Sequence, residues 1–263
     1  MRPKSLVCVC CLAVLSFASV AEAYRPEVVS STPRGIQRGT VQKVILRGAR
    51  LRDGRQLLFD RPGIEVKSLN VIDDKQVEVE LEVPSEMAPG LYPMRLVAET
   101  GLSNVMMLSV GTMPTIAEKE PNSSIETPQV IENNVTIEGA VAREDEDYYI
   151  VELEQGQRLI AELEGVRLKK GRSNPFFDPY IAILDAERFE LATSDDAPLL
   201  QQDCLCSIEA PEDGKYLIVV RDSSFGGNND QYRLHVGSFP RPIAVIPAGG
   251  PPGEVVDMTF ISV

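Results

Sequence analysis

Three groups of side chains in this sequence could do chemistry. The run Arg143-Glu144-Asp145-Glu146-Asp147-Tyr148-Tyr149 sets four carboxylates in a row ahead of strand-forming residues. Cys204 and Cys206 stand one residue apart, and His235 is the one histidine of the chain. A carboxylate run can act as general acid and base, hold a hard cation, or form a solvated turn capped by Asp147. Acid and base work needs two carboxylates at a fixed separation beside a cleft, whereas consecutive residues of an extended chain splay to alternate faces. Catalysis by the run is therefore disfavoured, and the cation site and the solvated turn both stay open.

Nucleophilic catalysis would rest wholly on His235, which sits in the strand-like stretch Tyr232-Arg233-Leu234-His235-Val236. The sequence contains no G-x-S-x-G and no H-E-x-x-H. His235 reads as a strand residue whose ring finds a partner or solvent. Cys204 and Cys206 point to one face of an extended strand, roughly parallel, which is poor geometry for bonding to each other. They read as small buried apolar residues, since a metal site would want more ligands than this pair and one distant histidine. The expectation is a chain that is not itself an enzyme.

The elements that must position these residues are strands. Val77, Val79, Leu81 and Val83 alternate with Glu78, Glu80 and Glu82, the pattern of a strand with one face on a core and one in water. Tyr92, Met94, Leu96 and Ala98 repeat it after Ala88-Pro89-Gly90. So do Tyr149, Val151 and Leu153, then Leu159, Ala161 and Leu163, then residues 215–220 after Pro211-Glu212-Asp213-Gly214. No segment carries a long helical period. The class is all-β, and short strands with Gly and Pro turns at this spacing predict tandem sandwiches.

Length and composition divide the 263 residues further. Residues 1–23 read as a signal peptide: Arg2 and Lys4, an apolar stretch, then Ala21-Glu22-Ala23 as a small-x-small cleavage site. That stretch is too short to span a bilayer comfortably, and no later run approaches the length of a membrane helix. The expected location is secreted or periplasmic, with no transmembrane segment after cleavage. Three of the five cysteines (Cys8, Cys10, Cys11) fall in the leader, so no disulfide framework is expected. The formal charge is -13, of which Arg2, Lys4 and Glu22 contribute +1, so the remainder carries -14. A chain so acidic repels phosphate backbones, which excludes nucleic acid as a natural partner.

Residues 24–112 have the size of one immunoglobulin-like sandwich, and residues 117–238 form a second unit that opens on the polar segment 117–124. The chain also repeats itself. Pro33, Gly35, Gly39 and Val41 share the spacing P-x-G-x-x-x-G-x-V with Pro247, Gly249, Gly253 and Val255. Both follow an Arg-Pro pair, Arg25-Pro26 and Arg241-Pro242. Residues 241–263 are accordingly expected to be the incomplete start of a further immunoglobulin-like domain, with an exposed edge and further domains of a longer chain beyond it.

Residues 118–238 resemble the bacterial pre-peptidase C-terminal (PPC) domain. The resemblance is carried by Glu118-Lys119-Glu120-Pro121-Asn122, Ile137-Glu138-Gly139, Asp145-Glu146-Asp147-Tyr148-Tyr149 and Gly156, then by Asp178-Pro179-Tyr180-Ile181 with Asp185, Ala210 to Tyr216, and Tyr232-Arg233-Leu234. It implies a jelly-roll-like sandwich. Residues 27–111 resemble an IPT/TIG immunoglobulin-like domain through Pro33, Gly35, Gly39, Gly48, Leu51, Gly90-Leu91-Tyr92 and Gly101-Leu102-Ser103-Asn104. Collagen-binding domains of bacterial collagenases are similar sandwiches, in which an acidic linker and an acidic loop hold calcium. Carried over by position, that resemblance implies calcium ligands at Glu118, Glu120, Asn122, Glu144 and Asp147. Ser123 stands where the pattern prefers aspartate, and Glu144 where it prefers a shorter acid.

The functional expectation is an exported, non-catalytic module that binds an extracellular or envelope protein or polysaccharide, or serves as a structural spacer stabilised by calcium. The alternative is the N-terminal accessory region of a larger secreted enzyme such as a peptidase. In the loop 222–230, Phe225 offers a ring for stacking on a sugar or peptide, unless the loop is simply a long hairpin turn.

Overall fold

The computed structural model describes residues 25–168 and 177–262. The leader read in residues 1–23, with Cys8, Cys10 and Cys11, lies outside them. Among the described residues no helix is long and apolar enough to cross a membrane. The chain is all-β, built as tandem sandwiches, as its period-two patterning requires.

The first sandwich is made from β1 (Glu27–Thr32), β2 (Gly35–Gln37), β3 (Thr40–Ala49), β4 (Gly54–Phe59), β5 (Glu65–Val71), β6 (Gln76–Val83), β7 (Gly90–Ala98), β8 (Gly101–Leu102) and β9 (Met106–Gly111). One sheet has the order β1-β3-β6-β5; the other has β2-β9-β7-β4, with β8 against β7. β6 shows why the sequence folds this way. Val77, Val79, Leu81 and Val83 are buried against Val44 and Leu46 of β3 and the inner residues of β7 and β9, while Glu78, Glu80 and Glu82 lie on the other face. Each such aliphatic side chain contributes about 1.5–3 kcal/mol on burial.

The second sandwich uses β10 (Thr115–Ala117), β11 (Gln129–Val130), β12 (Val135–Val141), β13 (Glu146–Leu153), β14 (Arg158–Glu164), β15 (Pro179–Leu184), β16 (Glu190–Ser194), β17 (Leu205–Glu209), β18 (Gly214–Asp222) and β19 (Asp230–Gly237). Its sheets have the orders β10-β12-β19-β14-β17 and β11-β13-β18-β15-β16. Ile137, Tyr149, Val151, Leu159, Leu163, Ile181, Ile218, Tyr232 and Leu234 are among the side chains that fill the space between them.

β14 and β19 depart from alternation because their outer faces are covered as well. Ile160 packs with Ala197, Leu200 and Leu205, against Phe239 and Ile243. Beside this patch the outer face carries a ladder of charges. Glu138 of β12 lies opposite Arg233 of β19, which lies opposite Glu164 of β14; Thr136, His235 and Glu162 form the next rung. Arg233 Nε is 2.8 Å from Glu138 Oε1, and His235 Nε2 is 3.2 Å from Glu164 Oε2. Thr136 Oγ1 is 2.8 Å from His235 Nδ1. Arg167 bridges Glu162 and the buried Asp203, and Arg241 pairs with Glu162 at 2.8 Å.

The first sandwich covers the Glu138–Arg233 end of this ladder. The backbone N–H of Arg34 donates to Glu138 Oε2 at 3.0 Å, and its guanidinium donates to the carbonyl of Gln231 at 2.8 Å. Gly35 has to be glycine, since a Cβ there would lie 2.0 Å from Arg233 Nη1 and 2.6 Å from the Ser109 carbonyl. Beyond the second sandwich, β20 (Pro242–Ile246) and β21 (Thr259–Ser262) form a separate two-stranded hairpin.

Candidate metal centre

Side chains from two strands and one connecting segment meet at an edge of the second sandwich's core. On β13 the core-facing residues Asp147 and Tyr149 lie two apart, as one face of a strand requires. β19 contributes Tyr232, whose ring lies over Gly139 of β12; a Cβ on Gly139 would sit 2.4 Å from the ring carbon that bears the hydroxyl. The segment after β10 contributes Glu118, Glu120 and Asn122, and is tied to β13 by the Tyr148 N–H donating to the Asn122 carbonyl at 2.9 Å.

One carboxylate oxygen from each of Glu118, Glu120 and Asp147 can be chosen so that all three lie within 4.8 Å of one another. Glu118 is held from several directions. Its Oε1 accepts from the hydroxyls of Tyr149 (2.7 Å) and Tyr232 (3.1 Å) and from the Asn122 amide (3.3 Å). Its Oε2 accepts from the Ala140 N–H at 3.0 Å. Tyr232 also contacts Asp147 Oδ2 at 2.7 Å, and Glu120 accepts from the Asn122 N–H at 2.9 Å. The two phenols bond each other and remain neutral, because burial and the nearby acids push both well above the usual tyrosine range.

Two buried oxygens in this cluster, Asp147 Oδ1 and Asn122 Oδ1, have no hydrogen-bond donor. Burial, and then the charge of Glu118, push the Asp147 carboxyl up to about 9. Buried acceptors without donors are costly in a folded protein, and a carboxylate beside other carboxylates adds repulsion. A hard cation removes both costs at once. The donor set is carboxylate and amide oxygen, which suits calcium and gives no softer ligand for zinc or copper. Glu118, Glu120 and Asp147, with Asn122 beside them, are thus the residues that could hold a hard cation such as calcium.

Of the five residues expected from the resemblance, Glu144 is the one the structure does not bring into the cluster. Its backbone takes a left-handed φ of 58° in the turn before β13, its N–H donates to the Phe225 carbonyl, and its side chain is 78% exposed beside Arg143. The turn presents it to water, away from the cluster. The turn is capped by Asp145, which accepts from the Ala142 N–H at 3.3 Å, and not by Asp147. Tyr149 and Tyr232 were not singled out as site residues, although both stand in the motifs that carry the family resemblance.

The remaining candidates have structural surroundings. Cys204 and Cys206 are free and buried, and burial pushes the Cys206 thiol up to about 12 and that of Cys204 higher still. His235 is engaged at both ring nitrogens by Thr136 and Glu164. The Phe225 ring is stacked by the Arg221 guanidinium at 4.4 Å, which also lies 3.9 Å from the Tyr180 ring.

No family model and no curated protein matches the chain. Among solved structures it is similar to the pre-peptidase C-terminal domain of a collagenase from Bacillus anthracis, at 16% identity and a TM-score of 0.33, over 48% of this chain and 99% of that one. It is also similar to PliG of Aeromonas hydrophila, a periplasmic inhibitor of g-type lysozyme, at 14% identity and a TM-score of 0.30, over 48% and 96% of the two chains. A third likeness is to SGBP-B of Bacteroides ovatus, in complex with a mixed-linkage heptasaccharide, at 9% identity and a TM-score of 0.25, over 76% and 71%. At these TM-scores the likenesses carry no functional argument.

Proposed function

We propose that the chain is an exported, non-catalytic module of the cell envelope or extracellular space, pairing an IPT/TIG-like sandwich with a PPC-like one that a calcium ion completes. Its partner is a protein or polysaccharide surface. The observation that supports this reading is the meeting of Glu118, Glu120 and Asp147, with Asp147 Oδ1 and the neighbouring Asn122 Oδ1 buried and without a donor. In this reading the ion supplies charge that the cluster lacks and ties the segment after β10 to β13 and β19. The protein's own residues orient the oxygens: Tyr149, Tyr232, Asn122 and the Ala140 N–H fix Glu118, and Tyr232 also holds Asp147.

Calorimetric titration of chelated protein with calcium tests the site, with magnesium as the control. Binding heat together with a rise in melting temperature is expected with calcium, and neither in Asp147→Asn. Absence of both in the unsubstituted chain refutes the calcium site. Pull-downs against peptidoglycan, polysaccharides and collagen-like peptides test the binding role, and uniformly negative results would leave a spacer.

A further inference from the structure

The C-terminal hairpin copies the first hairpin of the molecule residue for residue. β1 pairs with β3 through Val28↔Gly48, Ser30↔Arg47, Ser31↔Leu46 and Thr32↔Ile45. β20 pairs with β21 through Pro242↔Ser262, Ala244↔Ile261, Val245↔Phe260 and Ile246↔Thr259. Each of the second set is one of the first displaced by 214 positions, as from 28 to 242 and from 48 to 262. Both ladders shift register at the same place, after residue 28 and after residue 242.

The shared P-x-G-x-x-x-G-x-V spacing has the same displacement, and its second glycine takes a left-handed φ in both copies, 77° at Gly39 and 84° at Gly253. The Arg-Pro pairs do not share it, being 216 positions apart, so they are not part of the copied unit.

The copies differ in what covers them. β1 ends its sheet, so β20 can end one too; β3 lies between β1 and β6, whereas among the described residues β21 pairs with β20 alone. Val44 and Leu46 of β3 are fully buried beside their cross-strand partners Val79 and Val77 of β6. Their counterparts are Met258, just before β21 and 47% exposed, and Phe260 on β21, 65% exposed. An open strand edge beside exposed apolar residues is a template for strand addition.

We propose that residues 242–262 open a second unit built like the first. The free edge of β21 receives an antiparallel strand with apolar residues at alternate positions, in β6's place. The occupant is a strand of that same unit, reached from β21 as β6 is reached from β3. The first copy fixes its direction, its register opposite residues 254–261, and its pattern, apolar where it faces Met258 and Phe260 and polar between.

Amide hydrogen exchange on the purified chain tests this, using a peptide with the β6 sequence, Gln76 to Val83. A second peptide of the same composition, with its apolar residues adjacent instead of alternate, serves as the control. The β6 peptide is expected to slow exchange in residues 257–262 about tenfold or more, the control not at all. Phe260→Asp removes the slowing and leaves the melting of the two sandwiches unchanged. Equal slowing by both peptides, or none by either, overturns the proposal. Protection that grows with protein concentration in the absence of peptide, with a dimer in sedimentation, also overturns it by assigning the edge to a second copy.

Discussion

The second sandwich gathers carboxylates in two places, each with a buried acid at its centre, Glu164 in one and Asp147 beside half-buried Glu118 and exposed Glu120 in the other, and treats them in opposite ways. On the outer face of β12, β19 and β14, each acid meets a cation of the chain: Glu138 and Glu164 meet Arg233, and Glu162 meets Arg167 and Arg241. At the core edge, Glu118, Glu120 and Asp147 meet phenols, an amide and each other. Burial alone would raise the Glu164 carboxyl, yet His235 and Arg233 hold it below the usual range, whereas Asp147 is driven up. Buried acids require cations, and only the first set has them built in.

The largest break in this contrast comes from the self-neutralised side. Arg233→Met leaves Glu138 and Glu164 buried without their shared guanidinium and is expected to cost about 3–5 kcal/mol, read by chemical denaturation. Replacing Glu138 and Glu164 by leucine as well should recover most of that loss. Next is calcium itself: at a hundredfold excess over its dissociation constant it should stabilise the chain by about 2.7 kcal/mol, seen as a shift of the melting curve.

Acidity sharpens the same comparison. The unfolded chain ionises Asp147 near about pH 4, and the folded chain near about 9. Metal-free protein is therefore steadied by the neutral carboxyl below about pH 4 and loses that stability as pH climbs toward the folded value. Calcium must displace the proton, so its affinity should rise about tenfold per pH unit across this window, measurable by titration in buffers from acid to neutral.

Two substitutions have smaller effects. Asp147→Asn in chelator removes the proton uptake that folding demands of Asp147 at neutral pH and brings an amide donor into the cluster, so the melting temperature should rise, by about 1 kcal/mol equivalent. The same change should abolish the response to calcium. Glu144→Ala should stay within about 0.5 kcal/mol and keep the calcium response, since its side chain lies in water.

Much of this was legible in the sequence, for a definite reason. Where one face of a strand meets a core and the other meets water, as in β6, the alternation is written in the residues. β19 shows the limit. The alternation there sends Tyr232, Leu234 and Val236 inward, and His235 finds a partner as one of its two expected outcomes, but nothing local tells that Arg233 and His235 are buried. Their partners Glu138 and Glu164 lie 95 and 71 positions away, and no local pattern reports such pairings. Glu118, Glu120, Asn122 and Asp147 came by family resemblance. Glu144 came the same way, and the structure does not bring it to the others, its side chain lying in water at a left-handed turn position. The hairpin's kinship with β1 and β3 was visible as a spacing, while its register was not.

Tyr232 and Arg233 are neighbours in the chain, one in the acid cluster and the other in the charge ladder. A strand sends successive residues to opposite faces, so loss of one residue upstream in β19 would exchange the two. The deletion would carry a guanidinium into the only one of the two acid sites that lacks its own cation, and a phenol into the joint between the sandwiches. β19 is thus open to substitution in its letters but closed to change in its length, and inherited length variation should collect in the loops on either side of it.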